Sequence, residues 1–540
     1  MAGIKIPIPS TSNKMLTYTA IFCQFMSVKI SKLKLFIVLK ILVYYNNIIH
    51  KNIFYPLKEE KKIIYSWYLI YYSFFMNNIV LVWAWWTGMS WLAMMLFDIW
   101  YKNIICINNI QTDLTNRLTH HGLKVIIWHG NYQVDSKDFV IYSDIQAIID
   151  GPEITQSRSY QQSPTSKHYH ICLTYNQFIA EISKRFVTVC VSGSNGKTST
   201  TAMLSWSMSQ MNHEFWLAIV GWLMPNFNHQ WYVLSQNTDI QSDIHHLFEH
   251  IFNQKHQLDY SLLKKYTFVI EACEHREHFL LYDSDYALIT NVERDHVDYY
   301  TTLESYRQAF ADMINQTRRG VVVTPSVLQS LEWYRLTQKN IIVSDPYHVD
   351  TPYLIGSYTE LNAGMIASLF EMMNSDTVWL DTILWKFQWV GRRMEMVGNI
   401  WDKIIYSDYG HHAPALAGNI KALKTQFPNR NICAIFQPHQ AQRVLAWRDD
   451  FKQSLEWVDT TIIYRLYIAR EDFITLQSEY PRLASVSSFD ELGEQFAHDM
   501  NAEYVTDICT LKTKLWQLSD DYLIVYFSAW DLDEEMRWIL

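Results

Sequence analysis

Glycine is scarce in this chain: 16 of 540 residues, roughly 3% against a usual ~7%. So little glycine leaves few places where backbone can turn left-handed or approach a ligand closely. Cysteine has no pattern. The seven residues Cys23, Cys106, Cys172, Cys190, Cys273, Cys433 and Cys509 include no C-x-x-C pair, so neither a disulfide framework nor a zinc site is suggested. A reduced, cytosolic chain fits that usage. Surplus positive charge is also lacking. A net charge of −9 and a pI near 6.1 argue against a dedicated nucleic-acid binder. No internal repeat or low-complexity linker is visible, and the length allows about two to four domains.

Tryptophan, at 21 residues, is what the chain has instead. Adding these 21 to the 16 glycines brings the total to 37, about 7% of the chain and the ordinary glycine value. Where the tryptophans fall matters more. In "MNNIVLVWAWWTGMSWLAMML", Met76 to Leu96, a buried strand (Ile79 to Val82) leads into a helix (Leu92 to Leu96). The turn between them holds Trp83, Trp85 and Trp86, where a strand-turn-helix junction meeting a phosphate needs the smallest residue. Some bacteria decode UGA as glycine, and a standard table prints that codon as tryptophan. We therefore read many of these tryptophans as glycines in the native protein.

The first 75 residues stand apart, rich in Ile, Lys, Tyr and Asn. Taken literally, Ile63 to Phe97 carries no charge and is long enough to span a bilayer. With glycine at the four positions Trp83 to Trp91, its second half reads instead as a strand, a Gly-rich turn and a helix. Translation is expected to start at Met76, with residues 1–75 an upstream extension or a membrane-like segment, and without a cleavable targeting signal. From Met76 on, short β runs alternate with helical stretches, which predicts α/β architecture with parallel sheets.

The clearest motif is "RFVTVCVSGSNGKTSTTAML", Arg185 to Leu204. An apolar strand, Phe186 to Val191, leads through Gly193, Ser194, Asn195 and Gly196 into a helix near Lys197, Thr198 and Ser199. Backbone N–H groups at such a junction cradle phosphates, the lysine reaches the β/γ oxygens, and the threonine offers a hydroxyl to Mg²⁺. Further on, apolar runs ending at Ile270 and Ile289 read as neighbouring strands. Glu271, and Asn291 to His296, lie at their C-terminal ends, where open α/β sheets place ligands. A carboxylate and an imidazole there suit divalent ions that neutralise phosphate charge.

The segments "GSNGKTST", "EACEHREHFL", "TNVERDHVDYY", "GRRMEMVG", "SDYGHH" and "QPHQAQR" resemble, in order and spacing, those of the Mur ligases. The resemblance runs from about Met76 to the end and is greatest to the branch that joins L-alanine to UDP-N-acetylmuramate. These ligases begin with a strand and G-x-G-G-x-G-M-S-G. Glycine at Trp83, Trp85, Trp86 and Trp91 turns the opening segment into G-A-G-G-T-G-M-S-G. The same change supplies expected glycines at Trp128, Trp222, Trp389 and Trp530.

The resemblance implies three domains: a Rossmann-like UDP-sugar domain (76–183), a P-loop ATPase-like central domain (184–389) and a Rossmann-like ligase domain (390–540). It implies ATP and Mg²⁺ as cofactors and amide formation through an acyl phosphate in the cytoplasm, without nucleic acid or stable membrane association. Trp83, Trp85, Trp86, Thr87, Gly88, Met89 and Ser90 would meet the UDP-sugar. Gly193 to Ser199, Asn291, Arg393 and Asp408 would hold ATP, with Lys197, Glu271 and His296 catalytic. Thr198, Glu271 and His296 would serve metal. His411, His439 and Arg443 would form the amino-acid pocket, where a guanidinium grips a carboxylate. Two departures bear on that pocket: "HHAPAL" lacks an expected glutamate, and Gln440 stands where many members carry arginine.

Peptide mass spectrometry of the native protein should show glycine at positions 83, 85, 86 and 91; tryptophan in those peptides overturns the recoding.

Overall fold

The computed structural model describes residues 78–540 apart from 83–86, 100, 128–129, 136–137, 145–150, 162–170, 212–214, 229, 238, 245–247, 249–263, 297–298, 350–356, 376, 389, 402, 469–471, 481–482 and 484–485. All of it belongs to one contact unit, Met76–Leu540. The expectations for residues 1–75, Trp83, Trp85, Trp86, Trp128 and Trp389 lie outside the described residues.

Three sheets follow one another along the chain. The first contains β1 (Ile79–Val82), β2 (Ile104–Asn108), β3 (Lys124–Ile127), β4 (Phe139–Tyr142) and β5 (Ile171–Thr174). All are parallel, in the order β3-β2-β1-β4-β5. The chain order reverses beside β1, the point where such sheets open a crevice for ligands. β1 is buried along its whole length and is followed by the helix Thr87–Asp98. The charge-free stretch up to Phe97 therefore folds, over its described part, as strand and helix. No helix among the described residues is long and apolar enough to cross a membrane. Met89 and Ser90 are buried in that helix, and Trp91 packs edge-on against Tyr175, with ring centroids 5.7 Å apart.

The central sheet contains β6 (Val187–Ser192), β7 (Phe215–Met224), β8 (Gln230–Leu234), β9 (Thr267–Glu271), β10 (Tyr286–Ile289), β11 (Gly320–Val323) and β12 (Ile341–Val343). Its order is β12-β11-β10-β6-β9-β7-β8, with only β8 antiparallel. One expectation is corrected here. β9 and β10 are not neighbours, because β6 lies between them and pairs in parallel with both. Every residue of β6 is buried, as its run of Val and Cys favours for a strand covered on both faces. The helices Lys197–Met211 and Ser357–Met372 cover one face. Asp98 ties the first two sheets together: it accepts from the Tyr232 hydroxyl on β8 and lies 2.7 Å from Nε2 of His121.

The third sheet contains β13 (Glu395–Ile400), β14 (Lys403–Asp408), β15 (Asn431–Phe436), β16 (Thr460–Tyr464), β17 (Glu503–Val505) and β18 (Tyr522–Phe527). The order is β13-β14-β18-β15-β16-β17, with β13 antiparallel at the edge. Separate apolar clusters fill its two faces. The result is the α/β architecture expected from the motifs, with three largely parallel sheets in succession.

Trp401 opens the tight connection between β13 and β14 at φ +54°, a left-handed conformation that a bulky residue rarely adopts. Its ring is half exposed and stacks on Trp516 at 5.8 Å. The motif comparison does not single this position out, yet its backbone asks for glycine. Comparing Trp401→Gly with Trp401→Ala removes the ring in both cases and isolates the backbone. The glycine variant should be the more stable by about 1 kcal/mol in urea unfolding.

Candidate active site

The phosphate loop forms because β6 ends at Ser192 and the next helix begins at Lys197, leaving four residues to turn the chain. Gly193 has φ +135°, and a Cβ there would sit 2.1 Å from Thr290 Oγ1, so no side chain fits. Gly196 turns at φ +82°. The loop after β10 braces this turn. Asn291 Oδ1 accepts from the Asn195 amide at 2.8 Å, and Asn291 Nδ2 donates to the Asn195 carbonyl at 3.2 Å. Ser194 Oγ donates to the Glu293 carbonyl and accepts from the Glu293 amide. Asn291 is thus engaged with the loop backbone itself.

Lys197 folds back over the loop, donating to the Gly193 and Ser194 carbonyls, with its Nζ 3.0 Å from Glu274 Oε2. Glu274 is fully buried and also accepts from Tyr306 at 3.2 Å. Burial alone raises its pKa, but Lys197 and His296 outweigh that and hold the carboxyl down at about 2. Thr198 donates to Glu271 Oε1 at 2.8 Å, and the Gly221 amide donates to Oε2 at 2.6 Å. These are hard oxygen donors beside a phosphate-sized turn, and they fit Mg²⁺.

The structure divides the metal residues anticipated from sequence. Thr198 and Glu271 are brought together, whereas His296 lies against Glu274, 3.5 Å from Oε1, and beside Cys273. His296 sits at φ +49°. Burial lowers its pKa, while hydrogen bonding with Cys273 and Glu274 overrides that and lifts it to about 10.

On the third sheet, Asp408 ends β14, buried, and accepts from the Met394 and Gly410 amides. Desolvation raises its pKa, opposed by Arg393, whose guanidinium lies 5.0 Å from the Tyr409 ring. His412 caps the helix Ala413–Gln426, and its ring lies 4.1 Å from that of His411. His411, His439 and Arg443 do gather: the two rings are 6.2 Å apart, and desolvation, reinforced by the Arg443 charge, depresses the pKa of both histidines. Neither ring nitrogen of His439 has a hydrogen-bond partner.

Between the two halves lies a cavity of about 290 Å³, lined by Ser194, Asn195 and Asp295 on one side and His412, Trp447 and Asp450 on the other. His412 Nε2 is 3.9 Å from Asp295 Oδ1 across it. Sequence reasoning missed Arg392, although it adjoins Arg393 in "GRR". Its guanidinium packs 5.2 Å from the rings of both Trp222 (β7) and Tyr409, joining the central and third sheets. Trp530 stacks on Tyr467 at 4.9 Å, beside His439.

The Mur ligase middle domain family matches residues 191–343, the segment that holds the phosphate loop, Glu271 and His296. Over that segment the chain is similar to the Mur ligases. A UDP-N-acetylmuramate–L-alanine ligase from Leuconostoc mesenteroides is 26% identical over 423 residues, covering 73% of this chain and 85% of that protein. Among solved structures, the UDP-N-acetylmuramate-alanine ligase of Thermotoga maritima superposes with a TM-score of 0.60. It is 20% identical and covers 85% of this chain and 97% of its own. A murein peptide ligase from Psychrobacter arcticus reaches 0.52 at 16% identity, covering 84% and 95%. The chain therefore shares its fold with both.

Burial also governs the histidines of the third sheet. Desolvation, with the Arg443 charge, pushes His439 down to about 4; desolvation, partly offset by Asp295, does the same to His412. Both are neutral when folded, while in the unfolded chain they protonate near 6.5. As pH falls from about 6.5 toward 4 the unfolded state gains protons that the folded state refuses, so stability drops. The urea midpoint should fall across that window, and the double variant His412→Asn, His439→Gln should flatten the fall.

Proposed function

We propose that this chain is a Mur ligase that joins L-alanine to UDP-N-acetylmuramate with ATP cleavage to ADP. The observation that carries the reading is the cleft itself. Ser194 and Asn195 of the phosphate loop face His412, held neutral by burial, across a cavity of about 290 Å³. The L-alanine specificity is supported by the Leuconostoc mesenteroides relative. The domain limits 76–183, 184–389 and 390–540 and a cytoplasmic location are part of the same proposal.

On this reading the γ-phosphoryl group passes to the lactyl carboxylate, forming an acyl phosphate. The alanine amine then attacks the acyl carbon, and the tetrahedral intermediate expels phosphate. Such transfer needs positioning and charge neutralisation more than a covalent protein group. Lys197 would leave Glu274 to meet the β/γ oxygens, while the loop amides and the helix N-terminus hold the phosphates. Thr198 and Glu271 would hold Mg²⁺, which when bound supplies positive charge to the phosphates. His296 would serve a second metal or the substrate, and Asn291, Arg393 and Asp408 the nucleotide. The turn at residues 83–90, with glycine at its tryptophan positions, would meet the diphosphate. Arg443 would hold the alanine carboxylate, with His439 and His411 bordering a pocket sized for a methyl group. Neutral imidazoles suit that place, because an added positive charge would repel the ammonium form of the incoming amino acid. One methylene separates competitors by only about 1–3 kcal/mol, so Gly and Ser should compete weakly.

The test uses chain with glycine at the recoded positions. Phosphate release should require UDP-N-acetylmuramate and free L-alanine together. Lys197→Ala should lower turnover by on the order of 10²–10³ while sparing UDP-sugar binding. Release that depends on a peptide instead of free L-alanine would replace this specificity with that of a peptide ligase.

A further inference from the structure

The loop that leaves β15, Gln437 to Gln440, carries His439 and opens the helix Ala441–Ala446 that bears Arg443. Gln440 stands there at φ +68° and ψ 125°, a backbone conformation that is costly for any residue with a side chain and persists only where its surroundings hold it. Two attachments do so. On the backbone, the Tyr467 amide donates to the Pro438 carbonyl at 2.9 Å, and the Tyr467 carbonyl accepts from the Gln440 amide at 3.1 Å. Beneath the loop, the Gln437 side chain is fully buried with both ends engaged. Its Nε2 donates to Asp531 Oδ1 at 2.6 Å, while its Oε1 accepts from Ser528 Oγ at 2.8 Å and from the Leu532 amide at 3.3 Å. Arg465 serves both attachments. It directly follows β16 and precedes Tyr467, and its guanidinium donates to Asp531 Oδ2 at 2.8 Å, Glu535 Oε1 at 2.6 Å and the Thr506 carbonyl at 3.2 Å. None of these bonds uses a tryptophan side chain, so none depends on the residue at position 530.

We propose that Asp531 and Arg465 are positioning residues for the amino-acid pocket, acting through Gln437 and Tyr467 on His439 and Arg443; this rests on the ligase reading above. Asp531 is the link, because one carboxylate oxygen accepts from the Gln437 amide and the other from the Arg465 guanidinium. Turning the Gln437 amide end for end would set its oxygen against the Asp531 carboxylate and its NH₂ against the Leu532 N–H, so its direction is fixed. The planar fork of Arg465, held also by Glu535 and Thr506, gives the carboxylate a rigid partner. His439 has no hydrogen-bond partner on either ring nitrogen, so its loop and its ring contacts alone aim the imidazole. Loss of the Asp531 carboxylate strands a buried Gln437 donor and frees the strained Gln440 backbone to relax. The phosphate loop belongs to another sheet and has its own braces, Asn291 and Glu293. The effect therefore falls on the amino acid and not on ATP.

The experiment uses the full chain with glycine at the recoded positions and compares Asp531→Ala with Asp531→Asn, whose amide oxygen still accepts from Gln437. In Asp531→Ala the KM for L-alanine should rise at least about tenfold, toward the roughly 10²-fold that a 1 Å misplacement costs, while the KM values for ATP and UDP-N-acetylmuramate stay unchanged. Serine and glycine should gain on alanine, and Asp531→Asn should recover most of the loss. A second readout needs no substrate. Histidine-selective NMR titration should find His439 at about 4 before substitution, where burial first, then Arg443 and His412, hold it down. In Asp531→Ala it should move up toward 6.5 as water reaches the ring. Should that variant not fold, Arg465→Lys, which keeps the charge and loses the fork, carries the same two expectations. An unmoved His439, or KM values for ATP and L-alanine that rise together, overturns the proposal. If the unsubstituted chain does not use L-alanine, the ligase reading falls instead, and the His439 titration still decides the positioning.

Discussion

Glu274 places a carboxylate where no water reaches it, and the geometry around the phosphate loop follows from keeping that charge tolerable. A buried charge is stable only when paired and hydrogen-bonded. Lys197 supplies the countercharge, Tyr306 a hydroxyl, and His296 a second positive group at 3.5 Å. Tyr300 fixes the same residue from behind by donating to its backbone carbonyl at 2.6 Å. The lysine is therefore stored over the loop, already desolvated and close to where phosphate oxygens would lie. Moving it onto a nucleotide exchanges one anionic partner for another, which limits the electrostatic cost of the step.

The third sheet meets the phosphate loop through a different device. Arg392 packs on Tyr409 of the third sheet, and the neighbouring Gly391 amide donates to the Leu223 carbonyl of the central sheet at 3.1 Å, a backbone contact that does not depend on the residue at position 222. These contacts set the His411–His412 pair opposite Ser194 and Asn195. Desolvation keeps that pair uncharged, and the Arg443 charge works in the same direction on both imidazoles.

Much of the fold was legible in the residues. Apolar runs ending at Val191, Ile270 and Ile289 became strands, and the glycines of the phosphate loop proved necessary, with a hypothetical Gly193 side chain striking Thr290. Strand adjacency was not legible. Two segments close in sequence and alike in pattern read as neighbours, yet β6 inserts between them, since pairing order depends on how crossover helices pack. Cys273 and Glu274 escaped notice for a related reason: they share one loop, and their partner His296 comes from another. The tryptophans show the converse. Composition and motif position marked several as misplaced, while the left-handed backbone at Trp401 is visible only in three dimensions.

By itself the sequence determined the α/β class, the succession of phosphate loop and ligase motifs, and which residue types carry the chemistry. Those depend on local hydrophobic period and on spacing within short segments. Only the tertiary structure decided which of those residues meet. It paired Thr198 with Glu271 and sent His296 to Glu274 and Cys273. It also set a histidine cluster of the third sheet across a cleft from the loop of the second. Contacts between loops tens or hundreds of residues apart follow from strand order and burial of charge, and no local pattern encodes either.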